Sequence, residues 1–265
     1  MPREITAFSN STVKLLRSLR DKKARRSEGL FLAEGLRILT EARDSGRLPE
    51  IIAFSAEGAR HPLAAEIIAA TEAAGGDAIE TSPDILSKMS GKDNPQMLLG
   101  AYRQPETSIE RLDRAAAPLW MVAQALRDPG NIGTILRTGD AVGAGGLILV
   151  DDCADPYSVE AVRASMGAIF TQQVATARWA EFISWLRDGD GQLVGTSLKA
   201  TDDYLDAEYR RPCFLLIGNE QQGLPAPYEA ECDLMVKIPM AGRADSLNAA
   251  MAAAVIAFAV KASWR

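Results

Sequence analysis

Short runs of four to seven apolar residues, closed by glycine or polar residues, alternate along the chain with stretches in which apolar positions recur every three or four residues. The runs predict buried strands and the 3.6-residue recurrence predicts helices packed on them. Over the first hundred residues this pattern puts strands at 29–32, 51–54, 77–80 and 97–102, and helices at 34–45, 62–74 and 84–89. Leu36, Leu39 and Ala42 share one face of the helix at 34–45. The stretch 104–118 is polar, holds Pro105 and Pro118, and breaks the alternation. It reads as a connection, with the linker set at 106–118 between domains at 1–105 and 119–265. The alternation then resumes, with strands at 119–125, 146–150, 173–176, 192–197, 214–217 and 235–238. Helices follow at 131–142, 158–170, 179–188, 226–231 and 246–263. The expected class is α/β. The second domain is a mostly parallel sheet covered on both faces, and ligands bind such sheets at the carboxyl ends of the strands.

The most apolar segment, 249–260 (AAMAAAVIAFAV), is twelve residues long. A bilayer span needs about 20, so the segment reads as a buried core helix. The opening MPREITAFSNSTVK has no apolar core of the kind a secretory signal requires.

Composition narrows the function classes. Of 265 residues, 47% are apolar and 24% charged, as in ordinary folded domains. The three cysteines, Cys153, Cys213 and Cys232, form no C-x-x-C and suit a reducing cytoplasm. A single histidine, His61, rules out sites built on several imidazoles; it precedes Pro62 and reads as structural. The net charge of −6 excludes a uniformly basic protein. The charge is nevertheless unevenly spread. Lys14, Arg17, Arg20, Lys22, Lys23, Arg25 and Arg26 stand against the one acid Asp21, which gives +6 over 14–26 and leaves −12 on the other 252 residues. Val13, Leu16 and Leu19 fall at helical spacing, with Ser9 or Asn10 as a cap, so this stretch predicts one basic amphipathic helix. By composition it reads equally well as a solvated face or as a phosphate-binding patch.

Three loops of the second domain carry candidate chemistry. Arg127 to Arg137 (RDPGNIGTILR) leaves a strand and opens a helix. Asn131 is read as its cap, and Gly133 lies one turn before Arg137, leaving room above the guanidinium. A routine turn with a surface arginine fits the same spacing. Leu216 to Leu224 (LIGNEQQGL) ends a buried strand in Gly218, where a flat ligand can approach the backbone, and places Glu220 beyond it. Ile238 to Asn248 (IPMAGRADSLN) leads into the alanine-rich helix. Ser246 or Asp245 is the expected cap there, and Asn248 is an amide that must bond a neighbouring loop or a ligand. Gly143-Ala144-Gly145-Gly146 precedes a strand instead of following one, which is the wrong place for a dinucleotide loop. Asp151-Asp152 lacks the further spaced ligands of a cation site.

In order, N-I-G-x-x-x-R (131–137), I-G-N-E-x-x-G-L (217–224) and I-P-M-x-G-x-x-x-S-L-N (238–248) resemble the motifs of the SpoU, or TrmH, family of RNA ribose methyltransferases in the SPOUT class. Phe31-Leu32-Ala33-Glu34-Gly35 is similar to a segment of the family's substrate-binding domain. The resemblance implies an N-terminal α/β/α domain and a C-terminal sheet threaded as a trefoil knot, a rare exception to unthreaded topology. It implies S-adenosylmethionine as cofactor and no metal. It also implies a homodimer whose active site is completed near the interface. Arg137 becomes the catalytic arginine, with Asn131, Glu220, Ser246 and Asn248 orienting it or the ribose. Gly218, Ile238, Leu247, Leu216, Ile217, Gly223 and Thr196 become the cofactor-binding set. The seven basic residues of 14–26 become the RNA-binding set. The expected activity is methyl transfer to a ribose 2′-hydroxyl, on ribosomal RNA before tRNA, with neither a membrane nor DNA as a partner. The alternatives are a silent RNA-binding assembly factor on the same fold and a nucleotide-dependent oxidoreductase. The latter lacks its glycine fingerprint in the first β-α turn.

Overall fold

The computed structural model of the protein describes residues 2–265. The chain forms two compact units: residues up to Pro105 together with Asp155–Thr171, and Glu106–Ala154 together with Gln172–Arg265. The excursion at 155–171, which the sequence pattern places within the second domain, therefore packs with the first unit.

In chain order the first unit begins with β1 (Arg3–Ile5), α1 (Ser11–Ser18), α2 (Lys22–Glu28), β2 (Leu30–Glu34) and α3 (Leu36–Asp44). It continues with β3 (Ile51–Phe54), α4 (Ala56–Ala59), α5 (Pro62–Ala73), β4 (Asp77–Thr81), α6 (Pro83–Ser90) and β5 (Leu98–Arg103). The sheet order is β1-β4-β3-β5-β2, with β5 antiparallel to both of its neighbours. The period-2 alternation of β2 decides its two faces. Leu30 and Leu32 join Leu16, Leu19, Ile85 and Met89 beneath α1 and α6. Phe31 points the other way, with ring centroids 5.9 Å from Tyr102, 5.1 Å from Tyr157 and 5.8 Å from Phe170. The last two rings are what bring the excursion into this unit.

The basic stretch is two helices, not one. Asn10 caps α1, its Oδ1 accepting from Thr12 N at 2.8 Å, and the helix ends at Ser18. Arg25 of α2 folds back over the turn. Its Nη1 donates to Leu19 O at 2.9 Å and Arg20 O at 2.7 Å, satisfying carbonyls freed where the first helix stops. β1 and α4 have no counterpart in the sequence pattern. β1 is three residues long and pairs in parallel with β4, far along the chain, with Arg3 opposite Ile79.

The second unit comprises two 3-10 turns in the linker (Ile109–Arg111 and Arg114–Ala116), then β6 (Leu119–Gln124), α7 (Pro129–Val142) and β7 (Gly146–Val150). The excursion helices α8 (Val159–Ser165) and α9 (Ala168–Thr171) come next in the chain. The single helix expected at 158–170 is broken because Met166 and Gly167 take left-handed backbone, with φ 52° and 103°. Then follow β8 (Gln173–Ala177), α10 (Trp179–Arg187), β9 (Gln192–Thr196) and the two-residue β10 (Asp202–Asp203). The chain finishes with β11 (Cys213–Ile217), α11 (Ala226–Glu229), β12 (Leu234–Lys237) and α12 (Ala249–Ser263). All seven strands are parallel, in the order β10-β12-β9-β11-β6-β7-β8. Trp120, Val122, Phe214 and Leu216 face Phe182 and Leu186 of α10. Met121, on the opposite face of β6, lies against Gly139 of α7, and α7 packs on α12. The carboxyl ends of β6, β9, β11 and β12 thus converge on one edge, where the three candidate loops emerge.

Candidate functional site

A cleft of about 410 Å³ lies over the carboxyl ends of β9, β11 and β12. Thr196, Ile217, Gly218, Gly223, Ile238 and Leu247 line it, as do Glu220 and Ser246. Gly218 is needed for the shape: a Cβ there would stand 2.6 Å from Gly223 C and Leu224 N, so the 218–224 turn could not close on itself. Leu216 does not line the cleft. It is fully buried in the sheet core, and its carbonyl accepts from Thr196 Oγ1 at 3.3 Å, so it acts only through the backbone. The walls also include Lys199, Glu229 and Lys237, from loops and elements that carry no motif. The mixture of aliphatic walls with carboxylates suits a mid-sized amphipathic cation such as S-adenosylmethionine, and the volume lies in the range of small-molecule sites, about 300–1,000 Å³.

Beside the cleft, three motif residues from three separate loops join in one hydrogen-bonded chain. Asn248 Nδ2 donates to Asn131 Oδ1 at 2.9 Å, and Asn131 Nδ2 donates to Glu220 Oε1 at 3.0 Å. Arg127 N approaches Glu220 Oε2 at 3.5 Å. Asn131 is buried, and with both ends of its amide engaged its orientation is fixed. It does not cap α7. Asp128 does, its Oδ1 accepting from Gly130 N at 2.7 Å, with Pro129 in the first helical turn. The Asp-Pro pair was the available sign of this in the sequence. Likewise α12 begins at Ala249 and not at 246, and its cap is neither Ser246 nor Asp245. Asn248 caps it, Oδ1 accepting from Ala250 N at 2.9 Å and Met251 N at 3.3 Å. Ser246 is exposed at the cleft wall. Arg137 stands on the exposed side of α7 and is not part of this chain of amides.

Of the basic set, Lys14, Arg17, Arg20, Lys22, Lys23 and Arg26 are exposed. Arg25 is the exception. It is 3% exposed, and its Nη2 pairs with Asp155 Oδ2 at 2.6 Å. A guanidinium so enclosed holds the fold together and is closed to phosphate, which corrects the expectation that all seven bind RNA. No thiol is poised as a nucleophile. Burial raises Cys153 to about 11, and Cys213 and Cys232 to about 12. Among the described residues no cluster of His, Cys, Asp and Glu is arranged to hold a metal, and no helix is long and apolar enough to cross a membrane.

Comparison with known proteins matches residues 118–258 to the SpoU rRNA Methylase family and residues 10–100 to the MRM3-like substrate binding domain. The chain is 32% identical, over 90% of its length and 84% of the relative's, to a 23S rRNA (uridine(2479)-2′-O)-methyltransferase of Streptomyces viridochromogenes. It is 28% identical, over 97% of its length and 98% of the relative's, to a 23S rRNA (guanosine(2553)-2′-O)-methyltransferase of Bacillus subtilis. The fold superposes on an AdoMet-bound rRNA methyltransferase from Sinorhizobium meliloti with a TM-score of 0.91 and 37% identity, covering 99% of this chain and 98% of that one.

Proposed function

The chain belongs to the SpoU rRNA methylase family, an S-adenosylmethionine-dependent class of RNA 2′-O-methyltransferases, and from that premise we propose that it methylates ribosomal RNA. The observation that carries the site assignment is the Asn248–Asn131–Glu220 chain, which ties the three motif loops together beside the cleft. When bound, S-adenosylmethionine supplies an electrophilic methyl group on a sulfonium. Thr196, Ile217, Gly218, Gly223, Ile238 and Leu247 are the residues that would hold it. Much of the remaining task is positioning. The 2′-hydroxyl must lose its proton, and a guanidinium with a pKa above about 12 is a poor acceptor. Arg137 therefore serves as a cation that stabilises the developing alkoxide or grips the adjacent phosphate. Asn131, Glu220, Ser246 and Asn248 set the ribose and Arg137 in place.

Residues 1–105 present the RNA, through the exposed cations of α1, α2 and the turn between them, and 119–265 perform the transfer, with 106–118 as the linker. A globally acidic enzyme still needs local cations to meet phosphates. The enzyme works as a homodimer. In support, Met251, Val255 and Phe258 are 62%, 37% and 55% exposed along one face of α12, an apolar stripe of the kind a second copy covers. The crossing of the chain from β11 over β9, to set β12 on the far side of β9, supports a knotted chain path. The three free cysteines support a reducing compartment, the cytoplasm.

The test is methyl incorporation. Purified protein is incubated with labelled S-adenosylmethionine and, separately, unmodified ribosomal RNA and tRNA, followed by digestion to nucleosides. Label in a 2′-O-methylnucleoside from ribosomal RNA is expected. Label from tRNA alone would reassign the substrate, and none from either pool would leave a silent RNA binder.

A further inference from the structure

A second hollow, of about 450 Å³, opens beside the cofactor cleft at the carboxyl ends of β6 and β11. Gln124, Ala125, Arg127, Gln221, Gln222 and Pro225 form its walls, and the turn 219–223 lines both hollows. None of the residues assigned above to the cofactor lines it except Gly223.

This hollow is held open by specific bonds. Ala125 sits at φ 50°, a conformation that residues other than glycine rarely take and that persists only when its surroundings enforce it. Its N–H donates to Val150 O at 3.1 Å, and its carbonyl accepts from Asn219 Nδ2 at 2.8 Å. Asn219 Oδ1 in turn accepts from the backbone N–H of Gln221 at 3.0 Å and of Gln222 at 3.2 Å. The turn is thereby fixed while both glutamine side chains stay exposed. At the floor, Gln124 is only 5% exposed. Its Nε2 donates to Asp151 Oδ2 at 3.2 Å, and Asp151 is itself held by Trp179 N at 3.0 Å and Tyr228 Oη at 3.1 Å. Its Oε1 is buried beneath the hollow and has no hydrogen-bond partner among the described residues. A buried acceptor without a partner marks a place where a donor is missing.

The chemistry of the walls selects the ligand. No carboxylate lines this hollow, and its one cation, Arg127, is already paired with Asp152 at 2.7 Å. What remains is a neutral set of amides. Amides of this kind pair with the donor and acceptor edge of a nucleobase, and proteins read RNA sequence on unstacked bases whose edges are free. We propose that this hollow receives the base of the nucleotide being methylated, with the exposed amides of Gln221 and Gln222 reading its edge. The ribose then lies across the 219–223 turn, next to the cofactor cleft. The assignment rests on the RNA methylation reading above and adds to it the residues that choose the base.

The test uses the full-length protein and four ribosomal RNA transcripts that differ only in the base at the modified position. kcat/KM is measured on each for the wild type and for the Gln221→Ala, Gln222→Ala and doubly substituted proteins. Affinity for S-adenosylmethionine is measured separately by calorimetry, and a thermal melt confirms that each variant is folded. The wild type is expected to prefer one base by tenfold or more. The double variant should lose most of that preference, at least tenfold in the ratio at saturating S-adenosylmethionine, since a bidentate amide–base pair supplies discrimination of this order. Undiminished preference in the double variant, or equal use of all four bases by the wild type, overturns the subsite and leaves the methylation reading standing. No transfer to any transcript by the wild type overturns the methylation reading and this assignment with it.

Discussion

Asn248 holds two structures together, because one end of its amide caps α12 and the other reaches Asn131, 117 residues away in the chain. The two duties separate by substitution. Asn248→Ala removes both and should cost about 1 kcal/mol through the cap, read by denaturant unfolding. Asn248→Asp keeps an acceptor for the cap but has no donor for Asn131. It should therefore restore most of the stability while methyl transfer stays slow; recovery of both would mean that the link to Asn131 is idle. Arg137 is the opposite case, an exposed side chain outside the amide chain. Arg137→Ala should change stability by less than about 0.5 kcal/mol. The same substitution should slow single-turnover transfer by about 10²–10³, the usual loss when a group stabilising transition-state charge is removed. The sequence marked both residues as candidates, since an amide at the mouth of an alanine run and an arginine one turn after a glycine each stand out. It could not say which of them was bonded, because that depends on a loop more than a hundred residues away.

At the scale of the element, the basic stretch shows how far composition reaches. Seven cations at helical spacing look interchangeable, yet one of them is buried. Arg25 stitches the turn between α1 and α2 to Asp155, 130 residues on, while its neighbours face outward. Arg25→Ala strands a carboxylate whose side chain is only 14% exposed and should cost about 3–5 kcal/mol of stability. Replacing Lys22, Lys23 and Arg26 with glutamate should leave the melting temperature nearly unchanged. It should weaken RNA binding and flatten its salt dependence, by about 0.7–0.9 in logarithmic slope for each phosphate that is no longer neutralised. Equal RNA affinity across a salt series would sink the phosphate-binding role of this face. The broken helix at Met166–Gly167 teaches the same lesson, since an apolar periodicity continues through a break that the packing of Tyr157 and Phe170 on Phe31 requires.

For the whole molecule, the stripe on α12 predicts the assembly. Met251→Asp with Phe258→Asp should convert a dimer to monomers in sedimentation and depress transfer if the active site is completed by the second copy. A wild type that sediments as a monomer would remove the dimer. Buried thiols weaken the fold toward alkaline pH. Burial lifts Cys213 from an ordinary 9.0 to about 12, so above pH 9 the unfolded chain releases a proton that the folded one retains. Stability from this source is complete below pH 9 and declines as pH rises toward 12. Urea unfolding at about pH 8 and about pH 10 should show the fall, and Cys213→Ala should lessen it. Much of this architecture was legible along the chain. Most strand and helix spans and the α/β class follow from local periodicity, and the three loops stand out by their turn residues, whereas their meaning as motifs came from the family resemblance. Only the tertiary structure decided that β12 lies beside β9, that β1 finds β4, that 155–171 joins the first unit, and that Arg25 is enclosed. Periodicity is a property of neighbours in sequence, whereas strand pairing, desolvation and the bonding of a buried amide depend on groups brought together from distant parts of the chain.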